Sequence, residues 1–300
     1  MPDRFLVTGG AGYVGRFVVE GLPAAGCDVT VAGRAAPPTN FFSRRVDFLP
    51  FSLEPDAVRA EVLEGFDGLV HAAFHHSPGK YRGGEGDDPA AFRRFNLDGS
   101  VALFEAAKAA GVRRCVFLST RAVYGRQSPG VALSEDMACR PDTLYGEVKL
   151  AAEHALAALA SPEFVTASLR VTGVYGPAGP GRAHKWSVLF DDFLAGKPIA
   201  PRIGTEVHGG DVAAAVQLML EAESAQVSGK AFNVSDILLD RHDLLALVNE
   251  IAGADHPLPE RANTGAFNEM STERIRALGW QPGGLDLMRE TVAALVRDRN

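Results

Sequence analysis

The sequence predicts an α/β protein: a doubly wound, mostly parallel sheet with a small mixed lobe toward its C-terminal end. Three observations predict it. A glycine-rich turn, Thr8-Gly9-Gly10-Ala11-Gly12-Tyr13-Val14-Gly15, follows the apolar run Phe5-Leu6-Val7 and opens a stretch with helical spacing at Val14, Phe17, Val18 and Leu22. Short apolar runs then alternate with helical stretches as far as Leu169, the pattern of parallel βαβ units. After Gly176 the chain changes character, with Pro177, Gly179, Pro180 and Gly181 in a loop and mainly helical spacing beyond.

The glycine turn is the organising element. A strand, a glycine turn and a helix in that order make a phosphate-binding corner. One glycine permits the tight turn, one lets the backbone approach a pyrophosphate, and one lets the helix pack close to the strand. The helix N-terminus then offers unpaired N–H groups to the phosphates. The fold expected is therefore Rossmann-like, with an NAD(P)-binding domain over 1–175. A smaller substrate-binding lobe over 176–300 has segments that return to the sheet.

The remaining elements follow in order. Asp28-Val29-Thr30-Val31-Ala32 reads as the second strand, after Gly26 ends the first helix. In this fold an acid about 20 residues past the glycines holds the ribose 2′-hydroxyl, whereas a nearby Arg accommodates a 2′-phosphate. Gly33 takes the acid's place and Arg34 follows it, so NADP is expected to be preferred over NAD. Val46–Leu49 is the third strand, Pro55 to Leu63 a weak helix, and Gly68 to Ala73 the fourth strand and its exit. His71, His75 and His76 lack a carboxylate or cysteine at ligand spacing, so no metal site is expected. Residues 77–88 form a long glycine-rich loop suited to a lid or a substrate contact. A helix over 89–110, a buried strand over 114–118 ending in Ser119-Thr120, a helix from Asp142 or Thr143 to Ala160, and a strand over 165–169 complete the domain. The lobe is expected to hold helices near 185–195, 211–222, 240–252, 271–278 and 285–298, with a strand over 231–234.

Two pieces turn this scaffold into a candidate enzyme. Tyr145 and Lys149 are four residues apart and share one helix face. The ammonium favours the ionised phenol, and a phenol with a free pKa of about 10 needs that help to act as a base near neutral pH. Ser119-Thr120 ends the fifth strand, where open α/β sheets bind ligands. A hydroxyl there can bond the substrate oxygen that the tyrosine protonates or deprotonates.

At these residues the chain resembles the extended short-chain dehydrogenase/reductase family, of the NAD-dependent epimerase/dehydratase type. The likeness runs through Thr8 to Gly15, His71-Ala72-Ala73, Asn96 with Gly99-Ser100, and Ser119-Thr120 with Val123-Tyr124-Gly125. It continues through Tyr145 to Lys149, Leu169-Arg170 with Val174-Tyr175-Gly176-Pro177, His208 with Asp211, and Leu278 to Pro282. The resemblance implies that Tyr145 is the general acid/base and Thr120 its partner on the substrate oxygen. Lys149 would bind the nicotinamide ribose and tune Tyr145. Gly9, Gly12, Tyr13, Val14 and Gly15 would carry the pyrophosphate turn. Ser52 and Leu53 would lie near the adenine, with Ser52 where the family often has an Asp. Ala72 and Ala73 would lie against the cofactor, and Asn96 would support the catalytic network.

Departures from the family pattern narrow the chemistry. Members that eliminate water carry Asp-Glu after the strand-end Thr, and this chain has Arg121-Ala122. No additional acid/base pair for carbanion epimerisation is evident. Hydride transfer at a secondary alcohol or ketone of a small carbohydrate-like substrate remains. The alternatives are a nucleotide-sugar 4-epimerase and a non-catalytic NADP-binding redox sensor. In members that hold nucleotide sugars an Asn commonly stands three residues past the Leu-Arg pair, and an Arg shortly before the His-x-x-Asp segment. Gly173 and Gly204 hold those places here, with Arg182, Lys185 and Arg202 as the available cations. The substrate is therefore expected to be small and not a nucleotide-diphosphate sugar.

Bulk properties bound the partners. In 300 residues, 46% hydrophobic content and 22% charged content suit a globular protein with a full core. A net charge of −7 argues against a nucleic-acid surface, and no run reaches the ~18 apolar residues of a membrane span. Cys27, Cys115 and Cys139 have no metal or redox spacing and suit a reducing compartment. With the first strand starting almost at Met1, a cytoplasmic protein is expected. Small residues over wide arcs of the helices at 89–110 and 142–160 suggest a homodimer built on that pair.

Overall fold

The computed structural model describes residues 3–76, 86 and 88–298. The chain runs β1 (Arg4–Thr8), α1 (Tyr13–Gly21), β2 (Asp28–Gly33), β3 (Asp47–Pro50), β4 (Gly68–His71), α2 (Pro89–Arg93), α3 (Gly99–Ala109), β5 (Arg114–Thr120), α4 (Leu144–Ala158) and β6 (Val165–Val171). Then follow β7 (Gly173–Tyr175), α5 (Ser187–Leu194), β8 (Ile203–His208), α6 (Gly209–Glu221), α7 (Ser224–Val227), β9 (Lys230–Val234), β10 (Ile237–Asp240), α8 (Arg241–Ala252), α9 (Glu273–Arg276) and α10 (Gly284–Arg297).

Seven strands form one parallel sheet in the order β3-β2-β1-β4-β5-β6-β9. The order reverses between β1 and β4, and a doubly wound sheet opens its ligand crevice there. Apolar side chains cover both faces. Val7, Val31, Val70, Val116 and Leu169 pack toward Val18, Val212 and Val216 on one side. Leu6, Leu69, Cys115 and Phe117 pack toward Leu103, Phe104, Ala152 and Leu156 on the other. Every residue of β6 is buried, as a central strand covered on both faces should be.

The lobe contains a second sheet, β10-β8-β7, that the sequence reading did not anticipate. β7 pairs in parallel with β8, and β10 is antiparallel to it. These strands are short and carry little alternation, so helical spacing around them dominated. The lobe's core joins Tyr175, Trp186, Phe190, Phe193, Leu244, Val248 and Val292. β9, the expected strand, returns to the main sheet beside β6.

Other differences have local causes. The stretch 55–63 is two short 3-10 turns, Pro55–Ala57 and Ala60–Leu63, because among its residues only Leu63 is buried and no apolar face sustains a helix. The helix expected over 89–110 is two helices joined by a π-type turn at Arg94–Asp98. The one near 271–278 shortens to α9. The loop over 77–88 lies, apart from residues 86 and 88, outside the described residues.

Candidate active site

The cofactor corner is built by β1, α1 and the exit of β4. Gly9 has a φ of +67°, a backbone region that side-chain-bearing residues seldom adopt. A Cβ there would lie 2.6 Å from the Ala73 backbone. The turn therefore touches Ala72-Ala73, and the Ala72 N–H bonds the Thr8 carbonyl at 3.1 Å. Gly12, at the N-cap of α1, makes no side-chain cap hydrogen bond, and a helix N-terminus suits a phosphate. The Tyr13 phenol donates to the Gly176 carbonyl at 2.8 Å and joins this corner to the lobe. Val14 packs against the core.

Farther along the crevice, Arg34 and Ser52 line a cavity of about 360 Å³ with Phe51, Val58 and Leu63. Arg34 is exposed just past β2. Leu53 is buried, and its carbonyl packs against Gly99 at the start of α3. The glycine cradle, the N-terminus of α1 and this cavity together fit a dinucleotide.

His71 braces the corner from below. Its Nδ1 lies 2.7 Å from Thr8 Oγ1, and its Nε2 lies 2.9 Å from Ser100 Oγ. Ser100 donates its own proton to the Asn96 carbonyl at 2.6 Å. Its oxygen must therefore accept from Nε2–H, which leaves Nδ1 to accept from Thr8. Burial, with the Lys149 charge adding to it, pushes the imidazole down to about 3, so the ring stays neutral. Asn96 accepts from the His75 N–H at 2.6 Å and donates to the His75 carbonyl at 2.8 Å. Its amide thus holds the chain just past the exit of β4. The His75 ring stacks on Phe95 at 4.7 Å. Among the described residues no three His, Cys, Asp or Glu side chains converge as metal ligands.

Tyr145 and Lys149 come from α4, and Thr120 ends β5. Thr143 caps α4 by accepting from the Gly146 N–H at 3.1 Å. A Cβ at Gly146 would lie 2.6 Å from the Ala122 carbonyl, so the first turn of α4 abuts the turn that follows Thr120. Thr120 Oγ1 accepts from the Ala122 N–H at 3.2 Å, which leaves its own proton to donate. The Lys149 ammonium donates to the Leu118 carbonyl at 2.7 Å. It also lies 4.8 Å from the centre of the Phe74 ring and 4.5 Å from that of Phe117. Phe74 meets the Tyr145 ring edge-on at 5.1 Å. Burial holds Lys149 down to about 7, with the Glu153 carboxylate acting the other way.

Sequence reasoning missed a buried network behind this group. Ser119 Oγ donates to Glu153, and Arg170 binds both Glu153 oxygens, at 3.2 Å through Nε and 2.8 Å through its terminal nitrogen. Arg170 also donates to Tyr124 Oη at 3.0 Å, and that phenol donates to Asn233 at 2.7 Å. The available signal was spacing: Tyr145, Lys149 and Glu153 form one i, i+4, i+8 stripe. The Phe74 and Phe117 faces around Lys149 had no sequence signal. Arg121, where members that eliminate water carry an acid, donates to the Asn268 carbonyl at 2.7 Å and lies over Phe267.

A parallel sheet with a glycine turn after β1, and with a lysine, one turn past a tyrosine, bonded to the strand that ends in threonine, defines an NAD-dependent enzyme of the short-chain dehydrogenase/reductase type. The chain belongs to the NAD dependent epimerase/dehydratase family, whose model matches residues 5–235. It is 30% identical to UDP-glucose 4-epimerase of Corynebacterium glutamicum over 95% of this chain and 92% of that protein. It is also 30% identical to UDP-glucose 4-epimerase of Streptomyces lividans over 96% of this chain and 94% of that one. Among solved structures it is similar to Thermus thermophilus UDP-glucose 4-epimerase in complex with NAD, with a TM-score of 0.76, 28% identity and 98% of each chain covered. Thermotoga maritima UDP-glucose 4-epimerase with UDP-glucose superposes with a TM-score of 0.80 at 25% identity, covering 98% of this chain and 97% of that one.

Proposed function

We propose that the protein transfers hydride at a secondary alcohol or ketone of a carbohydrate, either as net oxidoreduction or as transient oxidation within an epimerisation. One observation carries this reading: the caged Lys149 ammonium sits one helical turn past Tyr145 and is tied to the strand that ends at Thr120. Tyr145 takes the hydroxyl proton of the substrate as the carbon loses hydride. Thr120 donates a hydrogen bond to the same oxygen. Lys149 favours the phenolate and holds the nicotinamide ribose. The nicotinamide ring, when bound, supplies the hydride acceptor. Net oxidation releases the ketone, whereas return of hydride to the opposite face of the carbonyl gives the epimer.

Arg34 supports a finer cofactor reading, with the NADP 2′-phosphate bound at the rim of the cavity it shares with Ser52. The half-buried Val101, Ala106, Ala151 and Ala155 on α3 and α4 support a homodimer through those helices, and a monomeric mass by light scattering would exclude it. The cysteine usage supports a cytoplasmic location.

Tyr145→Phe tests the main reading. Loss of the positioned phenol should lower turnover by ~10²–10⁴-fold with NAD affinity unchanged, because the phenol does not hold the pyrophosphate. Near-normal turnover would remove Tyr145 from the acid/base role. The redox-sensor alternative predicts cofactor binding and no absorbance change at 340 nm with any sugar.

A further inference from the structure

A loop of the lobe closes onto the cofactor corner, and an arginine at its tip reaches the glycine turn. The Tyr175 and Trp186 rings stack at 5.1 Å, so the ends of the segment 176–185 meet and the residues between them form a closed loop. Both ends are fixed. Tyr175 ends β7 and is buried, and the Lys185 ammonium pairs with Glu206 on β8. From this base the loop lies along the start of α1. Tyr13 donates to the Gly176 carbonyl at 2.8 Å, and the Lys185 N–H approaches the same phenol at 3.5 Å. Gly179 has a φ of +85°, and a Cβ there would lie 2.5 Å from Arg16 Nε, so an approach this close needs glycine.

The Arg182 N–H donates to the Gly179 carbonyl at 3.3 Å, and this turn presents the Arg182 side chain to the phosphate-binding corner. Its guanidinium donates to the Ala11 carbonyl and lies 4.7 Å from the centre of the Phe41 ring. Arg16 meets the same ring at 5.9 Å and donates to the Phe41 carbonyl at 3.5 Å. Phe41 is 3% exposed and belongs to the core around α1, so the ring is a firm platform. Arg182 therefore joins three pieces of chain: the glycine turn, the segment that follows β2, and the lobe. The turn has reason to be held. With Gly9, Gly10 and Gly12 it has more conformational freedom to lose than other sequences would. The Gly12 N–H donates to the Gly9 carbonyl at 2.8 Å and the Gly9 N–H to the Ala32 carbonyl at 3.0 Å. Arg182 adds the Ala11 carbonyl to these bonds from outside the turn. A turn ordered before the dinucleotide arrives does not have to be ordered by it, which strengthens binding.

We propose that Arg182 is a positioning residue for the dinucleotide: it fastens the lobe's loop to the glycine turn, keeps the turn in the shape that takes the pyrophosphate, and so slows release of the cofactor. This rests on the reading of the glycine turn as the NAD site and not on the hydride-transfer roles of Tyr145, Lys149 and Thr120.

The test reads release without turnover. Protein loaded with NADH is mixed with excess NAD in a stopped-flow instrument, and the fall in NADH fluorescence gives the release rate. Arg182→Met should raise that rate about tenfold, the lower end for a hydrogen bond from a charged donor, because Arg182 is exposed. The association rate of NADH with the cofactor-free protein should stay unchanged, since a lost contact shows mainly in release. The urea midpoint of the cofactor-free protein should also stay unchanged, because the contact orders a surface loop and a turn and not the core. Arg182→Lys keeps a charged donor without the flat guanidinium over Phe41, so its release rate should fall between the parent's and that of Arg182→Met. It decides alone if Arg182→Met fails to fold. A release rate equal to the parent's in Arg182→Met, or in Arg182→Lys where that variant stands alone, would overturn the proposal and leave the NAD site intact. Faster release with a lowered urea midpoint would also overturn it, reducing Arg182 to a structural tie between the lobe and the parallel sheet. If the parent itself does not bind NADH, the reading of the glycine turn fails, and the role of Arg182 fails with it.

Discussion

The Lys149 ammonium and the Leu118 carbonyl, 2.7 Å apart, tie the helix that carries Tyr145 to the strand that ends at Thr120. This bond joins two elements that are distant in sequence and carry the residues proposed for acid/base chemistry. It also holds the buried Lys149 ammonium, one helical turn past Tyr145, in a dry cage between the Phe74 and Phe117 faces.

The cage makes cofactor binding pH-dependent. Lys149 is held down to about 7 by burial, against ~10.4 for a free lysine. Below about pH 7 the folded protein carries the charge there, and above it the amine is neutral. A dinucleotide brings negative phosphates, so the charged form should bind it better. NAD affinity, measured by calorimetry, should fall as pH rises from 6 to 9, and Lys149→Met should bind weakly with no such slope. Stability follows the opposite sign. Between about pH 7 and ~10 the unfolded chain holds the extra proton, so the contribution of Lys149 to stability rises with pH across that window. An NAD affinity independent of pH would show that the ammonium does not serve the cofactor.

His71 should make the protein acid-sensitive. Its folded value is pushed down to about 3 by burial, against ~6.5 unfolded. Stability is fully present above ~6.5 and is lost as pH falls toward 3, because the unfolded chain takes up a proton that the folded one refuses. At ~1.4 kcal/mol per unit, the loss between pH 6.5 and 5 is about 2 kcal/mol. Urea denaturation at pH 7 and pH 5 measures it. His71→Gln should be less stable at pH 7 and flatter in pH, whereas an equal slope in both proteins would move the acid sensitivity elsewhere.

What was legible in the sequence follows from range. The glycine turn, Tyr145 with Lys149, and the strand-end Ser119-Thr120 are local patterns whose chemistry depends on near neighbours, and each lies where it was expected. The alternation of β1 to β6 was legible because buried parallel strands are short apolar runs. β7, β8 and β10 were not, because three- to six-residue strands beside helical spacing carry too little periodicity. The Lys185–Glu206 pair joins residues 21 apart in the chain through the β7–β8 register, which no local pattern encodes. The Arg170–Tyr124–Asn233 part of the buried network depends in the same way on β6 lying beside β9.

Arg34 gives a direct measure of cofactor choice. It is exposed at the end of β2 and lines the same cavity as Ser52. A charge-assisted bond to the 2′-phosphate is worth ~1.5–3 kcal/mol, or about a tenfold preference or more. Arg34→Ala should therefore weaken NADP by that factor and leave NAD unchanged. An unaltered NADP-to-NAD affinity ratio would reduce Arg34 to a solvated loop residue.

The Glu153–Arg170 pair should behave as one unit. Both side chains are less than a tenth exposed, at 5% and 7%, and Ser119 and Tyr124 complete their hydrogen bonds. Removing one partner leaves a buried charge without compensation, a loss of about 3–5 kcal/mol. Glu153→Leu and Arg170→Met should each destabilise to that extent in urea titrations. Together they should cost much less than the sum of the two, because no stranded charge remains. Turnover should respond differently. Glu153 anchors Ser119, next to Thr120, and its charge supports the Lys149 cation. The double variant should therefore be folded yet impaired, with its rate falling off at lower pH than in the parent as Lys149 loses its proton earlier. Additive destabilisation would show that the two charges are solvated independently. A folded double variant with the parent's pH profile would confine the pair to a structural role.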